Sequence, residues 1–428
     1  MSLNRLPFTF ERRFAADAGQ GQGDAGEAPD ASPRVSYWSL VWAQLRKNRI
    51  AVFGLWCIGG LIALAIYAPF LSLDKPLYWK TTAGVDFPFF HCLFNRLFFE
   101  NSVDVFFNLL MVLSPVYVAF YVAGRRLGRG RMVGLLVCAH FLLFFGLAPE
   151  RFFGVANPFY YTAPMPDYKA RIARMKADGD SVCYLLPLRQ YNYRETDPAR
   201  SVKPPSREHW FGTDKEGRDV FARLLYGTRI SLTIGVVAVS IFVLIGVALG
   251  AVAGYFGGHV DLWISRLIEV MICIPVFFLI LTLAAFIEER SIFHVMAIIG
   301  VTSWTGVARL VRAEFLRQKG LEYAQAALAL GIPKRRIIFR HILPNAMGPV
   351  LVAATFGVAS SILIESSLSF LGLGDLSAPS WGETLNAGRL EHKLWLILIP
   401  GFAIFFVVSV FNLVGEGLRD ALDPKLRR

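Results

Sequence analysis

Cysteine is scarce, with 5 in 428 residues, and histidine is scarcely commoner at 7. Cys57, Cys138 and Cys273 fall inside apolar runs, so only Cys92 and Cys183 are placed to pair with one another or to remain thiols. There is no H-E-x-x-H, no G-x-S-x-G, no paired-Cys metal motif and no Walker A sequence. These absences remove the metalloprotease, α/β-hydrolase and nucleotide-binding readings, and nothing argues for catalysis by the chain itself. Acidic residues are also few, 32 against 44 Lys and Arg, giving a net charge of +12. Such an excess marks nucleic-acid binding when it covers one soluble face. Here much of it lies in short clusters beside apolar runs, so no nucleic-acid partner is expected.

What the sequence has is apolar length. Hydrophobic residues make up 55% of it, 36 of them Phe, and the mean hydropathy is +0.48, beyond what a water-soluble surface tolerates. A bilayer core of roughly 30 Å needs about 20 apolar residues per helix. About eight segments qualify: Ile50 to Leu71, Val103 to Ala123, Met132 to Ala148, Ile230 to Tyr255, Ile268 to Ile287, Phe293 to Leu310, Met347 to Leu371 and Leu394 to Leu413. The expected class is an all-α integral membrane protein. No secretory signal is expected, because the first run begins at Ile50 behind a polar tail.

Lys and Arg in short loops mark the cytosolic side. Arg46, Lys47 and Arg49 precede the first run; Arg125, Arg126, Arg129 and Arg131 follow the second; Lys334, Arg335, Arg336 and Arg340 precede the seventh; Lys425, Arg427 and Arg428 end the chain. All four clusters share one side if every segment crosses, which predicts cytosolic N- and C-termini.

Four regions follow: a cytosolic tail over 1–49, a first span over 50–71, outer segments over 72–208 with a hairpin at about 103–148, and a core over 209–428. Within the tail, Ala15 to Pro33 is Gly-, Ala- and Asp-rich and reads as disordered. The polar stretch from Ala148 to Trp210 is either a partner-facing surface or an irregular cap. Gly246, Gly250 and Gly254 put small residues on one helix face, a packing signal, and Pro275 predicts a kink.

The stretch "GTDKEGRD", Gly212 to Asp219, has the glycine spacing of a phosphate loop, but Arg218 and Asp219 stand where Lys and Ser/Thr belong, and it lacks the ligand pattern of an EF-hand. A turn leading into "VFARLLYGTRISL" is expected, with Phe221, Leu224 and Leu225 on one face of a helix at the membrane boundary. Glu365, in "SSILIESSLSFLGLG", lies deep in an apolar run, where a carboxylate must face protein or water. Together with Ser366 and Ser367 it is a candidate for a translocation path, a proton relay or a structural hydrogen bond.

One stretch is too polar to cross a bilayer and too apolar to be an idle loop: "EYAQAALALGIPKRRIIFRHILPN", Glu322 to Asn345. A short Ala- and Leu-rich helix is closed by Gly331, and a second, Lys334 to Leu343, is expected to be stopped by Pro344. Small Ala326 and Ala327 admit close approach of another protein. On the residues alone, this is either a docking knob or a pair of interfacial helices bracing the chain's own bundle.

"QAALALGIPKRRIIFRHILP" resembles the EAA loop of bacterial ABC importer permeases, with Ala326, Ala327, Gly331, Leu343 and Pro344 in register. Gln325 replaces the family's Glu, so no ionic role is assigned to it, and His341 replaces an Ile, as in the "HxLPN" form of the peptide-permease branch. "HWFGTDKEGRDVFARLLYGTRISL", "SFLGLG", "WGETL" and "GLRDALDP" extend the resemblance over His209 to Pro424, where the chain is similar to the dipeptide and oligopeptide permease C-type subunit. The outer segment ending "PPSREHWFGTD" resembles the sub-branch importing microcin C-like peptides.

The resemblance implies a type I ABC importer transmembrane fold, the family's six-helix pattern plus an extra N-terminal hairpin, in a bacterial inner membrane. It further implies half of a translocation pathway formed with a homologous permease subunit, two ATPase subunits docked under the loops at Glu322, Gln325, Ala326, Ala327, Gly331, His341, Leu343 and Pro344, and an extracytoplasmic substrate-binding protein delivering peptide. ATP and Mg would be bound on the ATPases and no cofactor by this chain. Two rivals stand beside it: a proton-coupled secondary transporter using Glu365, and a membrane-anchored scaffold that moves nothing.

Overall fold

The computed structural model describes residues 37–81, 84–123, 129–147, 164–178, 183–288, 290–375 and 377–423. The chain divides after Leu40, and everything below concerns the unit Val41–Arg428. The expected disordered tail, Arg125 and Arg126, and the C-terminal basic cluster lie outside the described residues.

Helix α1 (Tyr37–Lys47) leads to Asn48, whose side chain accepts the free amides of Ile50 and Ala51, both at 3.1 Å, and so starts α2 (Arg49–Leu71). Strands β1 (Tyr78–Thr81) and β2 (Gly84–Asp86), the short α3 (Pro88–Leu93), then α4 (Ser102–Ala123) and α5 (Arg129–Leu147) follow. Next come α6 (Tyr168–Ala177), capped by Asp167, and β3 (Cys183–Leu185). The three strands make one antiparallel sheet in the order β2-β1-β3, with Trp79 opposite both Asp86 and Tyr184.

Helix α7 (Val220–Phe256) runs 37 residues, about 55 Å at 1.5 Å per residue. After it come α8 (Gly258–Cys273) and α9 (Val276–Ala285), then α10 (Ile292–Thr302), α11 (Thr305–Lys319) and α12 (Glu322–Ala329). The turn Lys334–Arg336, a π-helical segment Ile337–Ile342, α13 (Leu343–Phe370), α14 (Trp381–Glu391) and α15 (Leu394–Leu422) complete the chain.

Helix α7 is the axis of the fold: α10, α11 and α13 pack along it, and α15 lies between α2 and α13. The glycine stripe explains the fit to α11. A Cβ on Gly246 would stand 2.7 Å from Val307 Cβ, one on Gly250 2.5 Å from the Ala308 carbonyl oxygen, and one on Gly254 2.6 Å from Phe315 Cβ. The two backbones meet only because those side chains are missing. Large apolar residues such as Trp56, Leu244, Phe402 and Phe405 point outward, as they do when the surrounding solvent is lipid.

Among the described residues six helices are long and apolar enough to cross a membrane, seven if the α8–α9 pair is one span, and the helix Gly130–Gly146 is shorter. Each of the eight expected segments overlaps a helix, although fewer than eight have full crossing length. The Pro275 kink is a break: α8 and α9 meet at 78°. Two expectations need correction. The stretch "VFARLLYGTRISL" is no boundary helix with its arginines outside; it is the start of α7, with Arg223 and Arg229 buried, because carboxylates on other segments draw them inward. Nor does Pro344 stop a helix. It occupies the first turn of α13, where its missing N–H is tolerated, and the wider π turn before it carries the chain on continuously.

Candidate functional site

The projection Glu322–Asn345 is built by local chemistry. Gly331 adopts φ +71, a conformation that costs a residue with a Cβ about 1–2 kcal/mol. There the Ile332 amide donates to the Ala327 carbonyl at 3.1 Å and the Gly331 amide to the Leu328 carbonyl at 3.0 Å, closing α12 with a Schellman motif. Ala324 and Ala327 face inward, while Glu322, Gln325, Ala326, Leu328 and Leu330 are exposed. Leu330, 80% exposed, and Phe339, 64% exposed, are large apolar groups without cover.

The projection is tied to the bundle at its base. The Tyr323 hydroxyl donates to Gln318 Oε1 at 2.7 Å, and Gln318 Nε2 donates to Glu314 at 2.7 Å. Burial raises the Tyr323 phenol above its ordinary pKa, which keeps it a donor. Lys319 Nζ reaches the Tyr255 carbonyl at 2.7 Å, joining the end of α11 to the C-terminal end of α7. On the far side, His341 and Leu343 are half-buried, Pro344 is exposed, and Asn345 Nδ2 donates to the His341 carbonyl at 2.8 Å.

The opposite end of α7 carries a network of charges. Asp219 caps the helix, accepting the Ala222 amide at 2.9 Å, and lies 2.7 Å from His209 Nδ1. The "GTDKEGRD" segment is thus a turn, with Gly212 and Gly217 at φ +77 and +75. Arg218 contacts Asp214 at 2.7 Å and Glu216 at 2.9 Å, and both Arg218 and Arg223 reach Glu383 of α14, at 3.4 and 2.5 Å. Burial works against the Arg218 charge, but the surrounding carboxylates outweigh it and raise its pKa. One turn further, Arg229 donates to the Ala65 carbonyl at 2.7 Å and to Asp104 of α4 at 3.0 Å. Asp104 also accepts the Tyr193 hydroxyl at 3.0 Å, and burial, with that carboxylate's charge added, holds the Tyr193 phenol well above its ordinary pKa.

Glu365 is buried, and its carboxylate accepts the hydroxyls of Ser369 at 2.8 Å and Ser380 at 2.7 Å, with Ser366 at 3.5 Å. Those contacts fix the start of α14 against α13. Ser367 does not join them; its hydroxyl bonds the Leu363 carbonyl of its own helix. Cys92 is buried and Cys183 exposed, and both are free; burial pushes the Cys92 thiol up, as an inert core group. Sequence reasoning missed Asp104, Arg229 and Glu383. Two lone opposite charges at the edges of apolar runs were the available signal for the first two.

Residues 246–428 match the family described as "Binding-protein-dependent transport system inner membrane component", and residues 36–82 match "N-terminal TM domain of oligopeptide transport permease C". Residues 83–245, which include the α4–α5 hairpin, lie between the two. The dipeptide transport system permease protein DppC of Alkalihalophilus pseudofirmus is 41% identical over 243 residues, 56% of this chain and 80% of that one. DppC of Bacillus subtilis is 46% identical over 230 residues, 53% and 71% of the two chains. The inner membrane ABC transporter permease protein YejE of Escherichia coli is 39% identical over 268 residues, 61% and 78%. Among solved structures, a chain of the MetNI methionine ABC transporter in an inward-facing conformation aligns with a TM-score of 0.41 at 16% identity, over 47% of this chain and 96% of that one. The chain belongs to the binding-protein-dependent transport system inner membrane components, as a C-type ABC importer permease with the type I transmembrane fold.

Proposed function

We propose that this chain is the permease subunit through which an ATP-driven importer carries peptides across a bacterial inner membrane, and that the projection Glu322–Asn345 is the face on which ATPase subunits dock. The observation that carries this reading is the projection itself. Ala326, Leu328 and Leu330 are left without cover at the tip of a helix closed by a glycine at positive φ, while its base is clamped to α11 through Tyr323 and Gln318. An exposed apolar tip on a clamped base suits a rigid lever that a soluble partner grips.

The exposed Glu322, Gln325 and Pro344 frame the tip, Ala327 packs behind it, and Gly331, His341 and Leu343 connect it to α13. The remaining assembly is a homologous permease, two ATPases holding ATP and Mg, and an extracytoplasmic protein that delivers the peptide. The projection and both termini face the cytosol, and the charge network at the other end of α7 faces outward. ATP binding closes the ATPases and displaces the projection; α11 and α13, which flank it, carry the displacement to the helices around α7. Glu365 and Ser366 act in this account as the fixed joint between α13 and α14, bordering the path.

The test is a pull-down of the tagged chain from detergent-solubilised membranes, comparing wild type with an Ala326→Trp, Gly331→Trp double variant. Recovery of a second permease with both, and of ATPases with wild type only, is the expected result. ATPases retained by the variant would contradict the docking assignment.

A further inference from the structure

A cavity of about 360 Å³ opens at the N-terminal end of α7, at the far end of that helix from the projection. Its size lies within the range of small-ligand sites, about 300–1,000 Å³. Its floor is the buried His209 and Asp219, fixed to each other and to the first turn of α7. Its walls come from α6, β3 and the segment that follows β3, and all three lie in the stretch between the two family matches.

The lining is zwitterionic and aromatic. Lys169 is engaged by Glu195, at 2.5 and 2.8 Å, and lies over the Tyr191 ring. Lys176 lies over the Tyr184 ring at 5.8 Å and has no carboxylate partner among the described residues. Glu195 and Asp197 supply anionic oxygens, and Tyr184 and Tyr191 supply ring faces. The sheet order β2-β1-β3 leaves β3, which carries Tyr184, at an edge bonded to β1 alone. Edge strands are where extended peptides add their own backbone bonds.

From this arrangement we infer that the cavity binds a short peptide. The peptide's terminal carboxylate lies on Lys176 and its terminal ammonium near Glu195 and Asp197, one residue of it is against the two tyrosines, and the site holds it at the mouth of the pathway before it moves along α7. A free cation at one end and carboxylates at the other match a peptide with both termini free; they do not match a lipid tail or a polyanion. The inference rests on the peptide-importer reading and adds to it a site on the permease itself.

The experiment uses the assembled complex in nanodiscs without the extracytoplasmic binding protein, an equimolar pool of Ala-X-Ala tripeptides, and equilibrium dialysis read by mass spectrometry. Uptake of the same pool into proteoliposomes, with the binding protein present, is measured in parallel. Wild type should retain the pool, Lys176→Ala should weaken retention about tenfold or more, and C-terminal amidation should weaken it for wild type but not for the variant, as expected for one lost charge-assisted hydrogen bond. Uptake of the pool without retention by the complex, or retention that Lys176→Ala leaves unchanged, would overturn the cavity assignment and leave the importer reading intact. Absence of uptake under every condition would overturn both.

Discussion

Arg229 of α7 and Asp104 of α4 form an ion pair at 3.0 Å, with side-chain exposures of 0% and 1%. Two buried charges of opposite sign hold each other only while both are present. The α4–α5 hairpin is therefore locked to the axis of the core, and through Tyr193 the same carboxylate fastens the polar segment beyond β3.

Removing one partner strands the other. Asp104→Leu or Arg229→Met alone should destabilise the solubilised complex by about 3–5 kcal/mol, seen as a lowered melting temperature. The double variant should recover much of that loss, since well-packed apolar residues often replace a buried pair at little cost. Single and double variants melting alike would mean that the pair contributes no mutual stabilisation.

At Gly331 space and conformation give different answers. A Cβ there meets nothing within 4 Å, yet φ is +71. Gly331→Ala should then cost about 1–2 kcal/mol locally and leave the ATPases bound, whereas Gly331→Trp should separate ATP hydrolysis from uptake because the bulk faces the partner. Wild-type uptake by an assembled Gly331→Trp complex would refute the lever assignment.

For Glu365 the outcome turns on hydrogen bonds. Both Ser369 and Ser380 donate to Oε1, an acceptor that Gln also possesses. Glu365→Gln should accordingly keep stability and uptake near wild type, while Glu365→Leu leaves buried hydroxyls without an acceptor, at about 1–3 kcal/mol each. A Glu365→Gln variant that folds but no longer transports would point to a proton site instead.

Close packing of α7 on α11 supplies another test. A Cβ on Gly250 would lie 2.5 Å from the Ala308 carbonyl oxygen and 2.8 Å from Val311 Cβ, so Gly250→Leu should destabilise by about 1–3 kcal/mol or more. Gly59, whose Cβ would meet nothing within 4 Å, should accept Ala without loss. Equal melting temperatures for the two variants would dismiss the packing account.

Local features were legible in the sequence because their causes are local. Asn48 and Asp219 are good helix caps, Gly331 suits a left-handed turn, Pro275 breaks a helix, and the spacing of Ala326, Ala327 and Gly331 marks the projection. The joining of Arg229 to Asp104, 125 positions away, and of Arg223 to Glu383, 160 positions away, depends on which helices become neighbours. Periodicity carries no such information. Pro344 was misread for a related reason: a π turn upstream removes the conflict that an α-helix would have had with proline, and nothing in the local composition announces it.

The most direct measurement is peptide uptake into proteoliposomes containing this chain, its partner permease and the ATPases, with the binding protein and peptide outside and ATP inside. The account predicts accumulation that requires ATP and every component, and that stops when Ala326 and Gly331 are both replaced by Trp. Accumulation by this chain alone, driven by a pH gradient and indifferent to ATP, would contradict it.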